Sequence, residues 1–463
     1  MKGMTCFPMA ALALACVFSG VTRADNVDQV DQVKGSKIPF TVLRSDIADH
    51  AKSGHMLEIR NGGFGSDMTA HPTNKNRFYA LTDRGPNATY NGAQGKGKMF
   101  PTPDYTPRIG LFEVRADGSI WQVKSILLKR PNGTPITGLP NTSDLGGTGE
   151  TPYDKDGHPI TQQAGKPFDA KANPLKLDNY GLDGEGLVAL KDGTFWVSDE
   201  YGPHIVHFDQ NGVEIERINA FAYDQRTTLN LPAEFANRRA NRGMEGLAIT
   251  PDEKTLVGIM QSTLFNPNQT VKNLNLVRIV TIDLDNGKVR QYLYPQEKNQ
   301  NSNSGIAALS NHEFVVIERD GAFYRDKPQA MKHIYRIDLA HATDLESIAN
   351  GNGLVQDDKL GVMIRGKTLE QAVLAEGWEV LAKHQIKPVE KTLVVDLVKT
   401  LQYPHDKLEG LWLIGPTKLG VLNDDDFATW ATKGKLEQKY LDKAQTHIDG
   451  NTLYVVDGLN LGI

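Results

Sequence analysis

The feature that most constrains the fold is a unit that recurs along the chain. Its clearest copy begins at Asp183-Gly184-Glu185-Gly186-Leu187, turns at Lys191-Asp192-Gly193 and ends at Ser198-Asp199-Glu200. The segments between these points are apolar, so the unit is typical of a strand, a tight turn, a second strand and an acidic loop. A supersecondary unit that returns every few tens of residues indicates a solenoid or a propeller.

Four further copies follow the same pattern, and most are followed by another strand pair around an Asp-Gly or Asn-Gly turn. The copies are Met244-Glu245-Gly246-Leu247 to Gln261-Ser262, Ser304-Gly305-Ile306 to Glu318-Arg319-Asp320, Leu408-Glu409-Gly410-Leu411 to Asn423-Asp424-Asp425-Asp426, and a looser one from Ser66-Asp67-Met68 to Asp83-Arg84-Gly85. Each unit therefore carries about four antiparallel strands, which is the content of one propeller blade.

We predict an all-β fold, a six-bladed β-propeller with loop and short helical insertions. Five blades are visible, and strands near 40–43 and 57–59 are expected to join 453–456 in a sixth. Pairing of the two chain ends would close the ring and leave no exposed edge.

Three stretches fall outside the repeat and are predicted to be insertions. Residues 131–179 are rich in Gly, Pro, Thr and Asp, whereas 368–384 and 427–443 have helix-like spacing. A loop as long as the first is either functional or mobile. It is interpreted either as a lid beside the acidic loop of the second copy or as a disordered surface loop.

The N-terminus predicts export. Lys2, an apolar run over 10–17 and the small-residue end Thr22-Arg23-Ala24 are typical of a signal peptide over 1–24. A membrane anchor needs an apolar span of about 20 residues, which polar residues interrupt here, and we expect no transmembrane segment. The remaining chain, 25–463, is predicted to be one propeller domain in the periplasm or outside the cell.

Cysteine content and charge indicate how the mature chain is stabilised and which partners are disfavoured. Both cysteines, Cys6 and Cys16, lie in the predicted leader, so disulfides are not expected to stabilise the mature chain. The chain has 51 Lys and Arg against 56 Asp and Glu and no basic block. This balance disfavours a nucleic acid as partner.

The residue before the repeated glycine is Glu185, Glu245 and Glu409 in three copies and serine in the other two. Equivalent residues of different blades face one axis, and buried carboxylates are costly unless something compensates them. Ca²⁺ is the simplest compensator because it takes several oxygen ligands. We predict a metal site with these three residues, together with Glu200 and Asp424 from the second-strand ends. The other acids at those ends, Asp83, Asp199, Glu318, Asp425 and Asp426, could add to it.

Other side chains near the acidic loops complete the predicted site. Arg84 and Arg319 are expected either to hold an anionic substrate or to pair with glutamates of neighbouring blades. His204 is the nearest candidate general acid or base, unless it is an ordinary surface histidine. With Glu245 and Asp199 it makes up the predicted catalytic set.

Two familiar catalytic motifs are excluded. The sequence contains no Gly-x-Ser-x-Gly nucleophile elbow. The glycine-rich run 92–98 imitates a phosphate-binding loop, but Met99 stands where a metal-binding Ser or Thr is required.

Several stretches, taken together, resemble the bacterial phytase-like family, which is described as having esterase-like activity. They are Asp183-Gly184-Glu185-Gly186 to Asp199-Glu200-Tyr201-Gly202-Pro203, Asn241-Arg242-Gly243-Met244-Glu245-Gly246, Glu318-Arg319-Asp320, and Lys407-Leu408-Glu409-Gly410 with Asn423-Asp424-Asp425-Asp426-Phe427. In the last stretch Asp425 replaces an asparagine of the family pattern, which we expect to add charge to the metal site.

The resemblance implies a propeller fold, an extracytoplasmic location and calcium-dependent hydrolysis of a phosphate or other ester of a small anionic substrate. Two alternatives stay open. One is a non-catalytic propeller that binds a ligand or a protein, and the other is a lactonase-like metal-dependent hydrolase. Fold likeness alone does not decide among them.

Overall fold

The computed structural model describes Met1 and residues 25–463. The predicted signal peptide, with Cys6 and Cys16, therefore lies outside the described residues apart from Met1. No helix in 25–463 is long and apolar enough to cross a membrane.

Five sheets carry the five copies of the repeat, and the first four strands of each are antiparallel to their neighbours. The first two sheets consist of Asp67–Ala70, Arg77–Leu81, Arg108–Val114 and Ile120–Leu127, and of Gly184–Ala189, Phe195–Asp199, His204–Phe208, Glu214–Asn219 and Thr227–Asn230. The third and fourth are Met244–Ile249, Thr255–Met260, Leu276–Asp283 and Val289–Pro295, and Ser302–Ala308, Glu313–Arg319, Lys332–Asp338 and Glu390–Asp396. The fifth is Gly410–Gly415, Lys418–Leu422, Thr452–Val456 and Ser36–Lys37.

The first strands of the five sheets lie side by side. Each contacts the first strand of the next sheet, and the first strand of the fifth sheet contacts that of the first sheet. The sheets meet along apolar faces, with side chains such as Trp196, Trp412 and Phe112 buried between them. The all-β prediction is confirmed, and the arrangement is propeller-like.

The prediction of six blades is not confirmed, because the described residues form five sheets of this kind. Ser36–Lys37 pairs antiparallel with Leu453 and Thr452, so the chain ends do meet, but they complete the fifth sheet. Thr41–Arg44 and Ile59–Asn61, expected in a sixth blade, pair only with each other. Ser36–Lys37 is the strand, within the described chain, that pairs with the outer edge of Thr452–Val456 and satisfies its backbone hydrogen-bonding groups.

Bulges and glycines explain how the first strands meet at the axis. The pairing register of the first strand shifts around Glu185 in the second sheet and around Glu245 in the third, so each glutamate is an extra residue in its strand. A bulge bends the strand and redirects its side chain. The glycine that follows allows close approach, since a Cβ at Gly246 would lie 2.4 Å from the carbonyl oxygen of Ser304 in the fourth sheet.

Smaller elements surround the five sheets. The additional strands are Thr41–Arg44 with Ile59–Asn61, Ala88–Gly92 with Gly95–Met99 and Thr151–Tyr153, Leu354–Asp357 with Gly361–Ile364 and Lys367–Thr368, and Thr429–Thr432 with Lys435–Gln438. The helices are Leu369–Glu376, Glu379–Lys383 and Leu397–Leu401, with 3-10 turns at Asn26–Gln29, Ser143–Leu145, Ala233–Asn237, Gln269–Val271, Leu345–Ser347 and Asp426–Ala428.

One predicted helical insertion is confirmed and the other is wrong. Two helices lie within 368–384, whereas most of 427–443 is a hairpin or a loop. Thr432 pairs with Lys435 around a two-residue turn in which Lys433 and Gly434 both have positive φ. Positive φ at both turn positions matches the twist of a hairpin and overrides the helix-like spacing. The glycine-rich run that imitates a phosphate loop is also a hairpin, Ala88–Gly92 with Gly95–Met99.

We predict that Gly246→Ala destabilises the protein by roughly 1–3 kcal/mol, because the new Cβ forces the third and fourth sheets apart. Gly415→Ala is the matched control, since a Cβ at Gly415 meets nothing within 4 Å, and it should change stability by less than about 0.5 kcal/mol. Urea denaturation midpoints compare the two variants. Equal shifts would contradict the assigned packing at the axis.

Candidate functional site

The bulged strands and the ends of the second strands gather polar side chains around the axis at one end of the sheets. We call these residues the axial cluster, and all of them are buried. Its members are Glu185, Glu245 and Ser304 from the first strands, Glu409 immediately before the first strand of the fifth sheet, and Asp83, Glu200, Gln261, Arg319 and Asp424 at the second-strand ends.

Arg319 neutralises one side of the axial cluster. Its guanidinium forms an ion pair with Glu409, its Nη2 lies 3.9 Å from Oε1 of Glu245, and its Nε donates a hydrogen bond of 3.3 Å to Oγ of Ser304. The alternative in which glutamates and an arginine of neighbouring blades pair with one another therefore holds here. Arg319 thus has partners inside the cluster, and a role in substrate binding stays a prediction.

Gln261 satisfies carboxylates on the same side. Its amide nitrogen donates to Oε1 of Glu200 and to Oε2 of Glu245, both at 2.7 Å. Glu245 also accepts from Ser304 Oγ at 3.2 Å. Of the predicted metal ligands, Glu200, Glu245 and Glu409 thus have partners within the protein.

The opposite side of the axis holds a group with fewer partners. Asp83, Asp183 and Glu185, which we call the acidic triad, each offer a carboxylate oxygen, and these oxygens lie within 4.8 Å of one another. Arg84 is the adjacent cation, with its Nη2 3.0 Å from Oδ2 of Asp183. Three carboxylates beside one guanidinium leave an excess of negative charge in a buried place.

The raised pKa values in the axial cluster and the acidic triad show that ionised carboxylates are unfavourable in this buried place. Burial raises the pKa of Glu185 well above its usual value, and the carboxylates of Glu245 and Asp183 raise it further. Burial, then Asp183, likewise raises the pKa of Asp83. Burial raises the pKa of Glu409 to about 7 even though Lys407 and Arg319 oppose the shift. The described cations are too few for all these carboxylates to ionise freely near neutral pH.

Lysines, rather than an arginine, form the ion pairs with Asp424 and Asp426. Lys407 forms ion pairs with Asp424 and with Asp426, and buried Lys439 forms an ion pair of 2.6 Å with Asp426. Asp424 is thus a predicted metal ligand that already has a cation. No described lysine or arginine forms an ion pair with Asp425, and its carboxylate accepts a hydrogen bond of 3.1 Å from the backbone N–H of Phe427. The expectation that Asp425 adds charge to the metal site is not supported by these contacts.

Asp199 and His204, two of the predicted catalytic residues, are both buried and hydrogen-bonded, and Asp199 contacts Asp183 of the acidic triad. Asp199 accepts backbone hydrogen bonds from Asp183 at 2.8 Å and Gly202 at 2.9 Å, and burial raises its pKa to about 7. His204 is fully buried, with Nε2 3.3 Å from Oδ1 of Asn141, so it is not a surface histidine. Burial lowers its pKa well below the usual value, which keeps the ring neutral at neutral pH.

The insertion 131–179 packs against the acidic loop of the second sheet. The hydroxyl of Tyr201 donates a hydrogen bond of 2.6 Å to the carbonyl of Gly138. Asn141 contacts His204 as described, and Glu150 lies 3.6 Å from Nη1 of Arg84. The position beside the acidic loop agrees with the lid interpretation and not with a disordered loop.

Sequence reasoning missed three residues at this site. Asp183 stands two residues before Glu185. It therefore lies outside the position before the second glycine, which is the position that the repeat comparison uses. Gln261 replaces an acid in the third copy and connects two glutamates. Lys98 lies half-buried near the triad, and burial, followed by repulsion from Arg84, lowers its pKa. No local pattern marks Lys98, because it lies in a hairpin inserted between the second and third strands of the first sheet.

A family model described as Phytase-like, with esterase-like activity of phytase, matches residues 59–427, which is more than half of the chain. A similar curated protein is an "Uncharacterized secreted protein" of Arthroderma benhamiae, 27% identical over 333 residues, which cover 57% of this chain and 64% of that protein. The matched region thus spans somewhat less than two thirds of the relative.

Solved structures give only weak likenesses. A Lactobacillus plantarum protein is 11% identical with a TM-score of 0.32, over 87% of this chain and 91% of that one. A PQQ-bound aldose sugar dehydrogenase from Streptomyces coelicolor is 10% identical with a TM-score of 0.32, over 91% of this chain and 100% of that one. At these TM-scores neither likeness identifies a fold or an activity for this chain.

We predict that Asp425→Asn stabilises the protein at pH 8 and has less effect at pH 5. Burial, and then Asp424 and Asp449, raise the pKa of Asp425 to about 7. A raised pKa in the folded state means that stability is lost as pH rises from about 4 through 7, when the buried carboxyl ionises. The asparagine still accepts the Phe427 hydrogen bond but never ionises.

The advantage of Asp425→Asn over the parent protein should widen by roughly 1–3 kcal/mol between pH 5 and pH 8, since one pKa unit corresponds to about 1.4 kcal/mol. Urea midpoints at the two pH values measure this difference. Asp117→Asn, in an exposed turn where hydrogen bonds from Ser119 lower the pKa, is the control and should give no gain. An advantage of Asp425→Asn that shrinks with pH would contradict the assignment.

Proposed function

The chain belongs to the Phytase-like family, and on that basis we propose that it is an exported hydrolase that binds Ca²⁺ at the acidic triad and cleaves a phosphate or other ester of a small anionic substrate. The observation that carries the proposal is the convergence of Asp83, Asp183 and Glu185 in a buried place with Arg84 as the adjacent cation. This cation site differs from the one expected from sequence, because it includes Asp183 and leaves out Glu245 and Glu409, although Glu185 and Asp83 were among the expected ligands.

The donor atoms of the triad fit Ca²⁺. Carboxylate oxygens are the ligands that this hard cation prefers, and Ca–O distances of about 2.3–2.6 Å allow one ion to join oxygens up to about 5 Å apart. The triad oxygens lie within 4.8 Å of one another. A divalent cation would also offset the excess negative charge that raises the pKa values of Asp83 and Glu185.

When bound, such a cation polarises an ester or phosphoryl oxygen and lowers the pKa of an attacking water. The protein's own residues orient the site. Arg84 fixes Asp183 by an ion pair, and Gln261 holds Glu200 and Glu245 side by side. The insertion 131–179 covers the adjacent loop through Tyr201, which favours exclusion of bulk water from this end of the axis.

Location outside the cytoplasm is part of the proposal. The secreted relative in Arthroderma benhamiae and the sequence of 1–24 support it. The location agrees with the chemistry, because extracellular calcium modules work with dissociation constants as weak as about 10⁻⁴–10⁻³ M. A site made of three carboxylates partly neutralised by Arg84 is suited to that range.

A non-catalytic binding propeller is the second candidate. The observation that favours it is the pairing of Arg319 with Glu409 and its approach to Glu245, which supplies that side of the axial cluster with a counter-charge from the protein itself. In this alternative the same end of the axis holds a ligand or a protein without chemical change. A lactonase-like hydrolase differs from the first candidate in its substrate and shares the cation site.

We predict that Ca²⁺ raises the melting temperature of the mature protein above its value in chelator. A ligand that binds only the native state stabilises it by about 2.7 kcal/mol at 100 times its dissociation constant. Glu185→Gln and Asp183→Asn should lose most of this shift, whereas Glu376→Gln, at the end of the helix Leu369–Glu376, should keep it. Absence of a shift in the unmodified protein would contradict the cation site.

We further predict Ca²⁺-dependent turnover of at least one member of a panel of phosphate esters, carboxyl esters and lactones. Glu185→Gln should abolish turnover while the metal-free melting temperature stays at or above that of the parent protein, because the variant removes a buried charge. A calcium-dependent stability shift without turnover of any member would favour the binding propeller over the hydrolase.

A further inference from the structure

A cavity lies at the end of the axis opposite to the axial cluster. Along the first strands the residues change from polar to aliphatic, as in Glu185, Leu187 and Ala189 of the second sheet. Because a strand rises about 3.3 Å per residue, Ala189 lies roughly 13 Å along the strand from Glu185. All five first strands line the cavity, which has a volume of about 300 Å³. We call it the aliphatic funnel.

The aliphatic funnel has a buried floor and a partly exposed wall. The floor takes one side chain from each first strand, and each is at most 3% exposed: Met68, Leu187, Leu247, Ile306 and Leu411. The wall consists of the residues two positions further along, which are only partly buried: Ala70, Ala189, Ile249, Ala308 and Leu413. The floor separates the funnel from the axial cluster, so a molecule in the funnel does not touch the acidic triad.

The charged side chains of the funnel pair with each other. Lys191 and Glu253, which come after the wall positions of their strands, form an ion pair of 3.6 Å. The hydroxyl of Thr250 donates a hydrogen bond of 2.6 Å to Asp252. The funnel therefore offers an aliphatic surface with a polar rim of balanced charge, which selects neither an anion nor a cation.

The wall of the funnel leaves aliphatic surface open to water. Its side chains pack on one side against the cores between the sheets, yet they remain partly exposed on the other. Exposed aliphatic surface of this kind is unfavourable, and a concave apolar cavity gains free energy when an apolar ligand fills it. A volume of about 300 Å³ is at the lower end of the range for small-molecule sites, which suits a slim ligand.

We propose that the aliphatic funnel is a second binding site, which takes the end of an aliphatic chain of a small uncharged amphiphile. The chain enters along the axis with its methyl end on the floor ring, and the polar head stays at the rim beside Lys191 and Glu253. Aliphatic walls from five strands surround such a chain on all sides, so each methylene that enters leaves water. The inference goes beyond the proposed function and does not rest on it.

The test is isothermal titration of the mature protein with straight-chain alcohols from butanol to octanol. Binding should be saturable and should strengthen by roughly fourfold with each added methylene until the chain fills the funnel. The heat capacity change on binding should be negative, as burial of apolar surface requires. Ala189→Phe places a ring in the funnel and should weaken binding at least tenfold. Ala116→Phe, at an exposed turn outside the funnel, should leave it unchanged.

A second variant keeps the test decisive if Ala189→Phe folds poorly. Ile249→Ala enlarges the wall, so the chain length that binds most tightly should increase, a gain that misfolding does not produce. Absence of saturable binding, or equal binding by Ala189→Phe with an unchanged melting temperature, would overturn the inference. Sedimentation that shows self-association of the parent protein, lost in Ala189→Phe, would also overturn it, because a second copy would then cover the funnel.

Discussion

The first strands of five sheets meet around one axis, and the structure depends on how close they come there. Gly246 and Gly305 leave no room for a Cβ between neighbouring strands, and the bulges at Glu185 and Glu245 turn two carboxylates into the same small volume. Burial of like charges is unfavourable unless each is paired, hydrogen-bonded or neutralised. The close packing of the first strands therefore also buries like charges near one another, and the other residues of the site supply the groups that neutralise them.

The buried carboxylates are neutralised differently on the two sides of the axis. On one side Arg319 and Gln261 contact Glu200, Glu245 and Glu409, so the protein supplies partners for its own carboxylates. On the other side, Arg84 pairs with Asp183, and the excess charge of the acidic triad remains. A cation at the triad would complete the charge balance on that side. This asymmetry gives the otherwise repetitive fold one place suited to chemistry.

Sequence reasoning found what is repeated and local, and missed what depends on contacts between distant segments. Equivalent positions in the repeat predicted the sheets and most of the axial cluster. The partner of Thr452–Val456 is Ser36–Lys37, more than 400 residues away, and no local pattern distinguishes that strand from Thr41–Arg44. For Glu245 and Glu409 the sequence left a metal site and pairing with an arginine both open, because only the structure shows that Arg319 reaches them from another sheet. Even the hairpin at Thr429–Gln438 depended on two turn residues, Lys433 and Gly434, rather than on its periodicity.

The most direct test of the cation site is anomalous diffraction from crystals of the mature protein grown with Ca²⁺. We predict an anomalous difference peak for Ca²⁺, with carboxylate oxygens of Asp83, Asp183 and Glu185 about 2.3–2.6 Å from it. That peak should disappear in crystals of Glu185→Gln. No peak at the acidic triad, or a peak only between Glu245 and Glu409 with Arg319 displaced, would contradict it.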